Sequence, residues 1–343
     1  MNKVYNVNII SQTPLPTPGE IHEELPIPAV SEDFVEESRR QLVNILNHKE
    51  DRFLVITGPC SINDIPSALE YAERFQKLQR KVSDKIFLVM RAYFEKPRTT
   101  VGWKGLIYDP FMDKSFKIEH GLRLARKLLL KLTEEKIPAA TEFLDPIIPQ
   151  YLCDLITWAA IGARTAESQT HRQMASGMSM PIGFKNATDG SISIAIDAIK
   201  TAASQHSFLG VINDGRTGVF CTKGNPDCHI VLRGSSIDPN YGSEYIAFSR
   251  ELLRKAGLNQ AIVVDCSHGN SRKQPKNQIK AAEDVISQRC QGDKSVVGIM
   301  LESYLKEGRQ EIGEYMVPGL SVTDACLGWN DTEELILSAY RAL

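Results

Sequence analysis

The chain has 343 residues, 42% hydrophobic and 24% charged, enough apolar material for one large core or two ordinary ones. A formal net charge of -2 leaves no global field to recruit nucleic acid or an anionic membrane, so any basic site is local. No apolar run approaches the ~20 residues that span a bilayer. The N-terminus lacks the basic-then-apolar order of a signal peptide, and seven cysteines without paired spacing read as reduced thiols of a cytoplasmic protein.

Residues 1–30 hold five of the 17 prolines, at positions 14, 16, 18, 26 and 28. Such a segment is excluded from helix and from a central strand, so an extended arm is expected, either free or laid on a neighbouring subunit. Ser31, followed by Glu32 and Asp33, is placed to cap a helix whose apolar face is Phe34, Val35, Leu42, Val43, Ile45 and Leu46. Residues 31–343 are expected as one domain.

From residue 53 a rhythm begins. Short apolar runs at 53–57, 86–90, 139–143, 159–163, 182–185, 229–232, 262–265 and 296–301 alternate with amphipathic stretches, clearest at 118–136, 191–203, 243–256 and 278–289. Eight strand–helix units predict an α/β fold, a (β/α)8 TIM barrel. An open doubly wound sheet is the competing architecture, but neither a Walker A nor a Gly-x-Gly-x-x-Gly pattern occurs. One segment breaks the rhythm. Residues 208–212 and 219–222 flank Asn213-Asp214-Gly215-Arg216 and predict an inserted β-hairpin (208–223) before strand six, covering an end or meeting a partner.

In a barrel the active site forms where the strands end. Strand one runs into Gly58-Pro59-Cys60-Ser61, strand two into Arg91, strand three into Thr141-Glu142 and strand four into Gly162-Ala163-Arg164. Strand five ends at Lys185-Asn186, six at Arg233, seven in Asp265-Cys266-Ser267-His268 and eight in Glu302-Ser303. After strand two, residues 91–105 bring Arg91, Lys96, Arg98 and Lys104 with a proline and two glycines. Cations at the exit of a buried strand are costly unless an anion meets them, so this stretch reads as a phosphate or carboxylate cradle, against a solvated basic loop.

The strand-end residues sort into two sets. Arg91, Lys96, Arg164, Lys185 and Arg233 repel one another unless a multiply charged anion sits among them. A substrate with phosphate and carboxylate groups suits them; the bland alternative is that each pairs with a nearby acid. Cys60, His268, Glu302 and Asp324 combine a thiol, an imidazole and two carboxylates, a mixed site for Mn, Fe, Co or Zn that selects none sharply. No local spacing links these four; only the barrel does. Cys266, one layer deeper than His268, reads as core, and Cys153, Cys221, Cys228, Cys290 and Cys326 as packing thiols. His171 reads as a structural hydrogen-bond partner, and His22, His48, His120 and His206 as surface residues.

Together these stretches resemble one family. Gly58-Pro59-Cys60-Ser61, residues 91–105, Gly162-Ala163-Arg164 with Glu167-Ser168-Gln169, Gly183-Phe184-Lys185-Asn186, Asp265-Cys266-Ser267-His268-Gly269-Asn270 and residues 321–324 are similar to 3-deoxy-D-arabino-heptulosonate 7-phosphate (DAHP) synthase, type I, feedback-regulated microbial branch. The resemblance covers nearly the whole chain from about residue 31. Lys96-Pro97-Arg98-Thr99 is its most specific segment. Ala166 and Ala187 depart from it, standing where Thr and Gly are expected.

The resemblance implies condensation of phosphoenolpyruvate with erythrose 4-phosphate to DAHP and phosphate, the first step of the shikimate pathway. It implies one divalent metal ion, Mn2+ first with Fe2+, Co2+ or Zn2+ as alternatives, held by Cys60, His268, Glu302 and Asp324. Arg91, Lys96, Arg164, Lys185 and Arg233 are then expected to hold phosphoenolpyruvate with the Ala163 amide, and Arg98 and Thr99 the aldose phosphate. Lys96 becomes the expected proton donor to the new alkoxide, and Glu142 the group that handles water.

Feedback inhibition by an aromatic amino acid is likewise implied, at Asn6, Phe143, Gln150, Ser179, Phe208 and Gly210. Tyrosine is favoured over phenylalanine because Gly210 leaves room for a phenolic hydroxyl; alternatively Gly210 serves only the hairpin backbone. A homodimer or homotetramer is expected, with no nucleic-acid or membrane partner. Two other classes stay open: a related lyase such as octulosonate phosphate synthase, against which Lys96-Pro97-Arg98-Thr99 and the arm speak, and a non-catalytic amino-acid sensor, against which the full set of ligands and cations speaks.

Overall fold

The structure, a computed structural model, describes residues 4–343; residues 1–3 of the expected arm lie outside it. Ten strands form. They are β1 (Phe53–Gly58), β2 (Ile86–Arg91), β3 (Ala139–Glu142), β4 (Trp158–Ile161), β5 (Ile182–Lys185), β6 (His206–Val211), β7 (Thr217–Thr222), β8 (Cys228–Leu232), β9 (Ile262–Asp265) and β10 (Val296–Glu302). Eight of them close into a parallel barrel in the order β1-β10-β9-β8-β5-β4-β3-β2, and β6 and β7 pair separately as an antiparallel hairpin.

Every residue of the eight barrel strands is buried, which is why each reads as a continuous apolar run. Alternation divides the apolar side chains between two cores. Leu54, Ile56, Phe87, Val89, Trp158 and Val263 belong to the inner core. Phe53, Val55, Ile86 and Leu88 join the larger core between sheet and helices. Leu42, Ile45 and Leu46, from the helix Ala29–Leu46, belong to the inner cluster. This helix therefore closes the barrel where the strands begin and leaves the opposite end for the site.

Three expectations about element bounds are corrected. The arm is not extended throughout, because Pro18–Glu24 is a helix. Proline at its first position costs nothing, since that N–H has no helical partner anyway. Thr17 and Glu20 cap it reciprocally, Thr17 N donating to Glu20 Oε2 at 2.7 Å and Glu20 N to Thr17 Oγ1 at 3.1 Å. The next helix starts at Ala29, so Ser31 sits inside its first turn, buried, rather than at the cap. Strand four runs Trp158–Ile161 rather than 159–163, because Gly162 O already accepts from Thr165 N and Ala166 N in a turn.

The arm is fastened to the barrel by its second half. Tyr151 Oη donates to Pro16 O at 2.8 Å, and Gly19 N donates to Asn213 O in the hairpin turn at 2.8 Å. Arg126, fully buried, donates to Leu25 O and Tyr151 O and makes a two-pronged contact with Asp154, all at 2.8 Å. His22 packs half-buried near the same Asp154 rather than at the surface. Arg126→Ala leaves two carbonyls and one carboxylate without their donor and is expected to cost about 2–3 kcal/mol of stability. A thermal midpoint equal to that of the wild type would contradict this account of how the arm is held.

Candidate active site

The strand C-termini surround a cavity of about 270 Å3. Lys96, Arg98 and Thr99 reach it from the loop after β2, Glu142 from β3, Ala163 and Arg164 from the turn after β4 and Lys185 from β5. Arg233 reaches it from the end of β8, His268 from the turn after β9 and Asp324 from the loop after β10. Gly162 permits this crowding, since a Cβ there would collide with the Glu142 carboxylate.

Three of the four expected metal donors meet. One ligand atom each from Cys60, Glu302 and Asp324 lie within 4.8 Å of one another. His268 stands outside that group but faces it, with Nε2 3.7 Å from Glu302 Oε1. Its Nδ1 lies 3.0 Å from Asp265 Oδ2 and 2.7 Å from Ser267 Oγ, which draws the ring proton to that side and leaves the Nε2 lone pair for an ion. Burial and the Glu302 charge push the Cys60 thiol up to about 11, against the pull of Lys96. Burial also pushes Asp324 up, but Lys96, His268, Lys273 and Arg98 outweigh it and hold the carboxyl below its usual value. A buried thiol beside two carboxylates and an imidazole is a donor set that fits a divalent cation, which would supply positive charge among them.

The expected cationic set divides in two. Arg91 is fully buried beneath the cavity rather than in its wall; it donates to Glu302 Oε1 at 3.2 Å and lies 3.9 Å from the Tyr93 ring centre. Lys185 donates to Asp265 Oδ2 at 2.8 Å. For these two, pairing with a nearby acid is what the structure contains. Lys96 Nζ donates to Cys60 O and lies 3.2 Å from Cys60 Sγ. Burial works against its charge, but Cys60, Glu302, Glu142 and Asp324 hold it firmly protonated. Arg164 and Arg233 have no acid partner among the described residues and face the open cavity. Burial pulls the Arg233 guanidinium down, and Arg164 adds to this against Asp265. That is the environment of a group waiting for an anion.

Several supporting residues escaped the sequence reading. Asp265 takes Lys185, His268 and the Ser267 hydroxyl on one buried carboxylate, and despite burial these partners hold it well below its usual value. Gln278 clamps the backbone of Glu302, accepting from its N at 2.8 Å and donating to its O at 3.0 Å. Asn186 accepts from Arg233 N, while Asn240 accepts from Gly234 N, fixing the turn that carries Arg233. Glu95, pushed up to about 8 by burial, accepts from Leu144 N, Asp145 N and Tyr108 Oη and ties the β2 loop to the β3 loop. Cys326 Sγ accepts from Cys60 N at 3.4 Å, a contact that packing alone did not predict. His171 bonds Leu144 O at 2.7 Å, the structural role expected of it.

A second cavity, of about 670 Å3, lies beside the hairpin. Gln150, Ser179, Phe208 and Gly210 line it, four of the six positions expected around an effector. Phe143 is buried and Asn6 is exposed on the arm; neither lines it. A Cβ on Gly210 would come 2.7 Å from the Phe220 ring, so this glycine also serves the packing of the hairpin.

A profile described as the DAHP synthetase I family matches residues 26–337. Among relatives, the Phe-sensitive phospho-2-dehydro-3-deoxyheptonate aldolase of Escherichia coli K12 is 52% identical over 94% of this chain and 95% of its own. The Tyr-sensitive protein of the same strain is 49% identical over 98% and 96%, and the Trp-sensitive protein of E. coli O157:H7 47% over 98% and 97%. The solved structure of the phospho-2-dehydro-3-deoxyheptonate aldolase of Francisella tularensis SCHU S4 superposes with a TM-score of 0.96 at 43% identity, covering 98% of both chains.

Asp265→Asn removes the charge that orients His268 while keeping the shape. It is expected to weaken divalent metal binding by about 10- to 100-fold with the fold retained. Calorimetric titration with Mn2+ measures this, and an unchanged affinity would separate Asp265 from the metal donors.

Proposed function

The chain belongs to the DAHP synthetase I family, and from that membership and the geometry of the mouth we propose how this chain binds its substrates and what regulates it. The chain is an enzyme of the DAHP synthase class, which answers the octulosonate and sensor alternatives. The observation that carries the site reading is that Asp324, one of three metal-type donors within 4.8 Å of one another, lines the same cavity as two acid-free arginines.

Arg164 and Arg233, with Lys185 and the Ala163 amide, hold phosphoenolpyruvate by its phosphate and carboxylate. Arg91 works from below, through Glu302. Arg98 and Thr99 hold the phosphate of erythrose 4-phosphate. Fixing two anionic reactants against their mutual repulsion is the main contribution of these cations. Cys60, Glu302, Asp324 and His268 hold one divalent ion, Mn2+ foremost, which when bound supplies Lewis-acid polarisation of the aldehyde.

The methylene carbon of phosphoenolpyruvate forms the new C–C bond to the aldehyde carbon. Lys96, kept charged by the surrounding carboxylates, donates the proton to the oxygen that becomes the alcohol. Water adds at C2 of the former enol, and phosphate leaves by C–O cleavage. Glu142 lines the cavity with a carboxylate that bonds to no other protein group among the described residues, so it is free to orient that water.

The cavity beside the hairpin binds an aromatic amino acid, tyrosine first and phenylalanine as the alternative. Exposed Val4, Tyr5, Val7, Ile9 and Ile10 at the start of the arm support a homodimer or homotetramer in which this segment finds cover. All seven cysteines are free, in keeping with a cytoplasmic setting. No helix among the described residues is long and apolar enough to cross a membrane.

Phosphate release from phosphoenolpyruvate and erythrose 4-phosphate with Mn2+ tests the reading. Cys60→Ala is expected to lose at least about 100-fold in rate while staying folded; normal turnover of this variant in metal-stripped buffer would reject the donor set. Titration with each aromatic amino acid tests the effector, and indifference to millimolar tyrosine would remove the tyrosine assignment.

A further inference from the structure

Four cations face the catalytic cavity without an acid or thiol partner among the described residues: Arg98, Arg164, Arg233 and Lys273. The first three have roles above. Lys273 has none, and its position is built at a cost. It follows the short helix His268–Ser271, where Arg272 and Lys273 take left-handed backbone in succession, with φ of 51° and 58°. Neither is glycine, so in both the Cβ crowds the following carbonyl oxygen. The turn is held by Lys273 N donating to His268 O at 2.9 Å and Arg272 N to Gly269 O at 3.2 Å. Its result is that the Lys273 side chain joins the wall formed by Thr323, Asp324 and His268. Disfavoured backbone that persists beside a reactive cavity points to a use for the side chain it positions.

Charge counting says which use. Arg164, Arg233 and Lys185 are taken up by phosphoenolpyruvate in the reading above. Arg98 on the loop after β2 and Lys273 on the turn after β9 are both exposed and line this same cavity. Arg98 already spends its Nε on Trp103 O at 2.8 Å, so only the end of its guanidinium is open. A phosphate monoester carries between one and two negative charges near pH 7 and three strong acceptors, more than one partly engaged arginine balances. We propose that Lys273 is a second binding residue for the phosphate of the aldose substrate, acting with Arg98 across the rim. This rests on the assignment of the two substrates to these residues in the proposed function.

Steady-state kinetics of Lys273→Gln and Lys273→Arg in the full chain test it. Lys273→Gln is expected to raise KM for erythrose 4-phosphate about ten-fold or more, with KM for phosphoenolpyruvate within about two-fold and the thermal midpoint unchanged. Lys273→Arg, which keeps the charge, is expected to recover most of the loss. An unchanged KM for erythrose 4-phosphate in the Gln variant overturns the proposal. So does a parallel rise in both KM values with a lowered midpoint, which would mark Lys273 as a residue of the turn alone. A wild-type chain that releases no phosphate from this substrate pair would overturn the underlying reading and this proposal together, whereas an active wild type with an indifferent Gln variant overturns the proposal alone.

Discussion

Asp265 is a carboxylate with no exposed surface at the end of β9, and the chemistry of the mouth is arranged around it. A buried charge of this kind survives only with partners, and it has four: the Lys185 ammonium, the Ser267 hydroxyl and amide and the His268 ring. Lys185 stands among the cations proposed for the anionic substrate, and His268 among the donors proposed for the metal. One carboxylate thus fixes the spacing between the two halves of the site, and neither half can move without unpairing it.

Beyond that link, the mouth is a problem in charge balance. Lys96 sits against Cys60 and below it Arg91 sits against Glu302, so two of the four donors expected to hold the ion also touch a cation. Arg164, Arg233 and the rim cations remain uncompensated. A divalent ion among the donors together with anionic substrates among the free cations would complete both sides at once. Stiff backbone makes this tolerable. Gln278 grips the backbone at Glu302, and the Asn186 and Asn240 amides grip the turn at Arg233, so the charged side chains repel without spreading.

Much of this was legible in the sequence because a parallel barrel strand is buried on both faces and its C-terminal residue is polar for a reason. The eight apolar runs therefore marked both the strands and the site, and Cys60, Glu302 and Asp324, 242 residues apart between the first two, could be grouped before any contact was known. What stayed hidden were contacts that carry no period. Asp265 looked like one more strand end, and nothing in its neighbours showed that it would hold Lys185 from two strands away in the barrel wall. Gln278 sits in an ordinary amphipathic helix and Lys273 in an ordinary polar turn. The helix Pro18–Glu24 was lost because proline counting ignored that Pro18 falls at the one helical position where proline is welcome. Gly210 shows a different limit: absence of a side chain was read as space for a ligand, while the Phe220 ring uses part of that space.

The position a metal ion takes in this mouth decides what the donors are for. Crystals soaked in Mn2+ and measured at the manganese absorption edge should give one strong anomalous peak within bonding distance of Cys60 Sγ, His268 Nε2 and the carboxylates of Glu302 and Asp324. A peak elsewhere with these four donors empty, or occupancy that leaves Cys60 unbound, would contradict it.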